Sequence, residues 1–234
     1  MSPDGLRPLG PFALPGPVSV VPGVVHLPGW LGSEERQQMF DRCQAWSEAS
    51  GGPQSPRMRS GAPMSVGMVG LGWHWFPYRY SRTRDDGDGG RALAFPAWLG
   101  DLATSAVADA WGVDADVCQG TDGPASFDPD VALINWYGPE AKMGMHADSQ
   151  EVSPAPVVSF SVGRPAVFRF GNSESRGRPW VDIILGSGDV VVFGGPARRA
   201  FHGVPRLLDG TDDPLVDGGA GRLNVTVRQT GLDG

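Results

Sequence analysis

From about residue 128 onward the chain breaks into short apolar and β-branched runs, each closed by a turn: Val131 to Tyr137, Val157 to Val162, Ala166 to Phe170, Trp180 to Leu185, Asp189 to Phe193 and Leu223 to Val227. Gly186-Ser187-Gly188 and Gly194-Gly195 punctuate them, and 35 Gly and 22 Pro are high counts for a helical protein. Six or more such strands predict a mainly β (α+β) fold built on an antiparallel sandwich or jelly roll, which can hold a metal between its sheets.

Helical signals lie upstream. Ser33 followed by Glu34 and Glu35 reads as an N-cap hydroxyl with acids at the positive end of a helix dipole. Met39, Phe40, Cys43 and Trp46 then share one face over about three turns. A second helix starts after Pro96, carries Trp98, Leu102, Ala106, Val107 and Ala110, and is expected to close at Gly112. The expected organisation is one globular unit, with residues 1–127 as an extension carrying both helices and residues 128–234 as the β core. The Asp-rich run between Arg84 and Arg91 reads as a surface loop.

Met1 to Pro17 lacks a basic segment followed by a long apolar one and does not read as a secretory signal. No run approaches transmembrane length. Two cysteines, Cys43 and Cys118, leave no disulfide framework. The expectation is a cytoplasmic monomer with no membrane partner. A net charge of −7 disfavours binding to phosphate backbones without forbidding it. Lys142 is the only lysine, and arginines group at 79, 82 and 84, at 164 and 169, at 176 and 178, and at 198 and 199. They form either a basic face or a scatter of solvated side chains.

Alternate residues of an extended segment point to one side, so His146 and Asp148 can grip one ion together. A third ligand from a distant strand completes a two-histidine, one-carboxylate face with positions left for a chelating cosubstrate and dioxygen, a preference of iron(II). His202 is the natural candidate, since His26 lies in an apolar run and His74 among aromatics. Alone, His-x-Asp is a weak signal. The last strand places Arg222, Asn224, Thr226 and Arg228 opposite Leu223, Val225 and Val227. Its polar face either meets solvent or lines a pocket for a dicarboxylate. Asn135 and Tyr137 alternate in the same way, as pocket residues or as a satisfied pair at a strand end.

Leu133-Ile134-Asn135-Trp136-Tyr137, His146-Ala147-Asp148, Val190-Val191-Val192-Phe193-Gly194-Gly195, His202-Gly203 and Arg222-x-Asn224-x-Thr226-x-Arg228-Gln229 occur in this order. Together they resemble the AlkB family of alkylated nucleic acid repair dioxygenases, from about Met64 to Thr230. The resemblance implies a double-stranded β-helix in which His146, Asp148 and His202 hold iron(II). It implies that Arg222, Asn224 and Tyr137 hold the distal carboxylate of 2-oxoglutarate, that Arg228 and Asn135 serve its metal-proximal end, and that dioxygen is consumed. The activity it implies is oxidative demethylation of 1-methyladenine- or 3-methylcytosine-type bases in DNA or RNA, releasing formaldehyde, succinate and CO2.

A base inside a duplex must be flipped out or already single-stranded to react. Residues 64–84 resemble the family's nucleotide-recognition lid: Met64 to Met68, then Gly72-Trp73, then Tyr78 to Ser81. The likeness implies that Met68 and Trp73 receive the base, Trp73 stacking on it with His146 behind it, and that Tyr78 meets the nucleotide backbone. Read without it, the aromatics are an ordinary hydrophobic cluster. Gln150 and Glu151 occupy the place of an acidic pair near the base in relatives, and Gln150 replaces its first acid, which puts base preference in doubt. The alternative function keeps the iron chemistry but acts on a protein or a small molecule.

Overall fold

A computed structural model describes residues 16–58, 61–84, 87–210 and 213–233. Most of Met1 to Pro17, and Asp85 and Asp86 of the Asp-rich loop, lie outside the described residues. The strands are β1 (Val18–Val21), β2 (Val24–Leu27), β3 (Val66–Leu71), β4 (His74–Phe76), β5 (Arg79–Ser81), β6 (Val131–Tyr137), β7 (Met143–His146), β8 (Val157–Gly163), β9 (Ala166–Phe170), β10 (Val181–Leu185), β11 (Val190–Phe193), β12 (His202–Leu207) and β13 (Arg222–Arg228). Two long helices join them, α1 (Ser33–Ala49) and α2 (Ala97–Val113). Neither they nor any other described helix is long and apolar enough to cross a membrane.

Seven strands form a large sheet in the order β1-β2-β11-β8-β13-β6-β3, and four form a smaller one, β10-β9-β12-β7. All of these pairings are antiparallel. The sandwich read from the sequence is therefore present. Its large sheet is covered on both faces. Ile134, Phe160, Val192, Leu223, Val225 and Val227 pack with Met39, Cys43, Leu99, Ala103, Ala106 and Val107 of the helices. Leu133, Tyr137, Val157, Val191 and Phe193 share a second core with Phe168, Phe170, Ile183, Leu185 and Val204 of the small sheet. Burial on both sides explains why β8 and β11 read as continuous apolar runs.

Several boundaries differ from the sequence reading. Residue 127 divides nothing, because β1, β2 and β3 from the upstream region complete both edges of the large sheet. Met68 lies in β3, paired with Asn135 of β6 and 9% exposed, so it is a sheet residue and not part of a lid. What projects from the sheet is the separate hairpin β4–β5. In α1, Gly32 is the N-cap and makes no side-chain cap, while Ser33 is already helical. Gly112 lies inside α2, which ends at Val113 against an extended Asp114.

Candidate active site

The register of the small sheet brings the two distant histidines together. His202 opens β12 opposite His146, the last residue of β7. Their ring centroids are 4.5 Å apart. Asp148, two residues beyond the strand, reaches back so that its oxygens lie 3.8 Å from each Nε2. That is too long for hydrogen bonds, and suits donors sharing one ion at about 2 Å from each. The three ligand atoms lie within 4.8 Å of one another.

Ring orientation is fixed by the backbone. Nδ1 of His146 is 2.9 Å from the Gly144 carbonyl, and Nδ1 of His202 is 3.1 Å from that of Ala200. A carbonyl only accepts, so each Nδ1 carries a hydrogen, and Nε2 is the nitrogen that faces Asp148 and can ligate a metal. Burial, aided by His146, lowers the His202 pKa to about 4, keeping that ring neutral. Burial opposes ionisation of Asp148, but the Arg228 guanidinium, Nη2 2.8 Å from Oδ2, holds the carboxyl well below its usual range.

A polar strip runs from this cluster between the two sheets. Asn135 donates to Asn224 Oδ1 (3.1 Å), and Asn224 donates to Ser159 Oγ (2.8 Å) and the Phe160 carbonyl (2.9 Å). Arg222, opposite Tyr137 in register and 1% exposed, donates to Ser161 Oγ at 2.7 Å. Among the described residues it forms no salt bridge. Burial lowers its pKa to about 10, so it remains charged at neutral pH. The same environment raises the Tyr137 hydroxyl to about 12 and keeps it a donor. The polar face of β13 is therefore buried between the two sheets, and the solvated alternative is excluded.

Three buried atoms of this region have no hydrogen-bond partner: Asn135 Oδ1, Arg222 Nε and Arg228 Nε. Each orphan costs about 1–3 kcal/mol unless something satisfies it. Two guanidinium donors flanking the strip suit a dicarboxylate, and the Asp148 carboxylate facing two imidazole Nε2 atoms suits a cation. The residues thus fit a metal with a chelating diacid beside it.

The model of the 2OG-Fe(II) oxygenase superfamily matches residues 23–228. An alpha-ketoglutarate-dependent dioxygenase AlkB homolog of Caulobacter vibrioides is 37% identical over 91% of this chain and 90% of its own length. The chain belongs to the AlkB family. The DNA N(6)-methyladenine demethylase ALKBH1C of Arabidopsis thaliana is 32% identical over 89% of the chain, which spans only 48% of that relative. The solved structure of OsALKBH1 superposes with a TM-score of 0.77 at 32% identity, over 91% of this chain and 99% of the other. Iron(II), 2-oxoglutarate and dioxygen are the metal and cosubstrates of this family.

The AlkB-family residues expected at the substrate are less uniformly placed. Tyr78, 43% exposed, sits at the hairpin turn with φ 75°. Trp73 offers no open stacking face, contrary to expectation. It is 5% exposed, donates to Asp130 Oδ2 at 2.8 Å, and carries the Arg82 guanidinium 3.6 Å above its ring. Glu151 is likewise unavailable to a base, being 2% exposed and enclosed by Tyr80, Arg198 and Arg228. Gln150 is half-buried, its amide donating to Ser149 Oγ at 2.9 Å.

Sequence reasoning assigned no site role to Tyr80, Arg198, Arg199, Ser159 or Ser161. The serines were discoverable from their period-two spacing in β8. Arg198 and Arg199 both donate to the Asp148 carbonyl, at 3.1 and 2.8 Å, and so fix the ligand loop. Of the grouped arginines, Arg84, Arg164 and Arg169 pair with Asp88, Asp209 and Asp182.

Proposed function

We propose that this AlkB-family oxygenase oxidatively demethylates N-alkylated bases in single-stranded or flipped-out DNA or RNA. The observation that carries the reading is the His146-Asp148-His202 cluster beside a buried strip of unsatisfied polar atoms ending in Arg222. His146, Asp148 and His202 would hold iron(II), and Arg222 and Arg228 the two ends of 2-oxoglutarate. Bound there, iron would supply the overall reaction in which dioxygen oxidises 2-oxoglutarate to succinate and CO2 and hydroxylates the N-methyl carbon, whose hydroxymethyl product releases formaldehyde.

The chain's own contributions are protonation, orientation and exclusion of water. Hydrogen bonds to Gly144 and Ala200 orient both rings with Nδ1–H on a carbonyl, so that Nε2 is the metal-facing nitrogen, Arg228 keeps Asp148 ionised, and the two sheets bury the cosubstrate strip. With side-chain exposure of 35% against 7% for His202, His146 is the open side of the cluster, where a flipped base approaches. Tyr78 at the hairpin turn is the residue suited to meet the strand beside it.

Two base classes are in play. The resemblance read from the sequence implies ring-nitrogen lesions of the 1-methyladenine and 3-methylcytosine type, whereas the name of the Arabidopsis relative supports N6-methyladenine. Gln150, a neutral amide that both donates and accepts, is compatible with either. Single-stranded oligonucleotides carrying each of the three bases, incubated with iron(II), ascorbate and 2-oxoglutarate and read by mass spectrometry, test the proposal. Loss of 14 Da per methyl group, about the mass of one CH2, is expected from at least one of them. No loss from any would move the search to proteins or small molecules. In this reading the protein works in the cytoplasm as a monomer, and gel filtration against the mass of 24.7 kDa tests the oligomeric state.

A further inference from the structure

The hairpin β4–β5 has one residue inside the metal site. Tyr80, cross-strand from Trp75, sends its hydroxyl to Glu151 Oε1 at 2.5 Å. Arg228 Nη1 lies 3.0 Å from the same hydroxyl. A guanidinium only donates, so the hydroxyl accepts from Arg228 and gives its own hydrogen to Glu151. The second Glu151 oxygen is held by Arg198 Nη2 at 3.3 Å, and Arg228 Nη2 lies 2.8 Å from Asp148 Oδ2. An unbroken chain of contacts therefore runs from hairpin to metal ligand.

We propose that Tyr80 is a positioning residue for 2-oxoglutarate, acting by fixing the plane of the Arg228 guanidinium. Two of the three nitrogens of that group are anchored, Nη2 on Asp148 and Nη1 on Tyr80. The third, Nε, is buried with no partner. It is the donor left for a ligand carboxylate, and its direction follows from the two anchors. Without the Tyr80 hydroxyl, Nη1 retains only Glu151 Oε1 at 3.4 Å, a long contact that leaves the group free to pivot about Asp148. Glu151 is the fixed acceptor that orients the hydroxyl, and Arg198 keeps it in place. Displacing the hairpin therefore displaces Arg228, which links hairpin position to cosubstrate affinity. The inference rests on the iron and 2-oxoglutarate site and stands whether or not the substrate is a nucleic acid.

The test is Tyr80→Phe in the full chain, with Mn(II) in place of iron and no nucleic acid present. Calorimetry reads the Kd of 2-oxoglutarate and of Mn(II), and a melting curve reads the fold. The expected result is a Kd for 2-oxoglutarate raised about tenfold, the scale of one hydrogen bond to a charged group, with Mn(II) affinity and melting temperature close to those of the parent. An unchanged Kd for 2-oxoglutarate would overturn the proposal. So would a parallel loss of both affinities and of melting temperature, which would make Tyr80 a packing residue.

Discussion

Arg228 Nη2 lies 2.8 Å from Asp148 Oδ2, both side chains are buried, and the same carboxylate stands 3.8 Å from two imidazole Nε2 atoms. One oxygen pair thus serves a guanidinium and a metal position together. Asp148→Asn keeps the volume and removes the charge. It should weaken Mn(II) binding by about 100-fold or more, beyond the effect usual for a group behind the ligands, as calorimetry would read. Binding at parent affinity would remove Asp148 from the ligand set.

Arg222 is the other charged end of the strip. Replacing it with Ala takes away a buried donor group that has no internal carboxylate. The KM for 2-oxoglutarate should rise by about 10- to 100-fold, the range for a charge-assisted hydrogen bond, with a smaller change in turnover at saturation. Initial-rate kinetics over a range of 2-oxoglutarate concentrations separates the two effects. A fall in turnover alone would contradict a binding role.

How much of this site was legible follows from what period-two patterning can say. The spacing of Leu223, Val225 and Val227 gave a strand and one buried face. It left the face of Arg222 and Arg228 undecided, because only the position of the second sheet distinguishes a pocket from solvent. His146 and His202 could be named but not paired, since their register depends on β7 and β12, short strands whose Gly144, Gly203 and Pro205 weaken the pattern. β3 escaped notice for a similar reason, with Gly67 and Gly70 interrupting its alternation. Glu151 was placed at the substrate because its enclosing partners, Tyr80, Arg198 and Arg228, lie 47 or more residues away. Nothing local to Gln150-Glu151 reports them.

The turn before Trp73 is sterically closed. Gly72 has φ 78°, and a Cβ there would sit 1.9 Å from the Asp130 carbonyl oxygen. Asp130 also accepts from Trp73 Nε1 and from the Thr230 amide. Gly72→Ala should destabilise the fold by about 3 kcal/mol or more, through backbone strain and displacement of that junction. Urea unfolding measures it, and a loss below about 1 kcal/mol would mean the turn can relax.

Asp189 gives the fold an acid-sensitive tie. Burial opposes its ionisation, but hydrogen bonds from His26 (2.9 Å), the Gly29 amide (2.8 Å) and the Gly186 amide (2.9 Å) outweigh it and lower its pKa. The unfolded carboxyl titrates near pH 4, about 3.9 in model peptides. The unfolded chain therefore takes up the proton first. The stabilisation is fully present above that value and is lost as pH falls through the lower folded one. Asp189→Asn should be less stable than the parent at neutral pH, by about 1–3 kcal/mol, with the gap narrowing below about pH 4. A gap independent of pH would assign the effect to packing.

The most direct test of the central claim is the stoichiometry of succinate and formaldehyde released from a methylated single-stranded oligonucleotide, in the parent and in Asp148→Asn. The expected result is one succinate and one formaldehyde for each methyl group lost by the parent, and neither product from the variant. Formaldehyde release that persists in Asp148→Asn, or succinate from the parent with every methyl group retained, would contradict demethylation at this site.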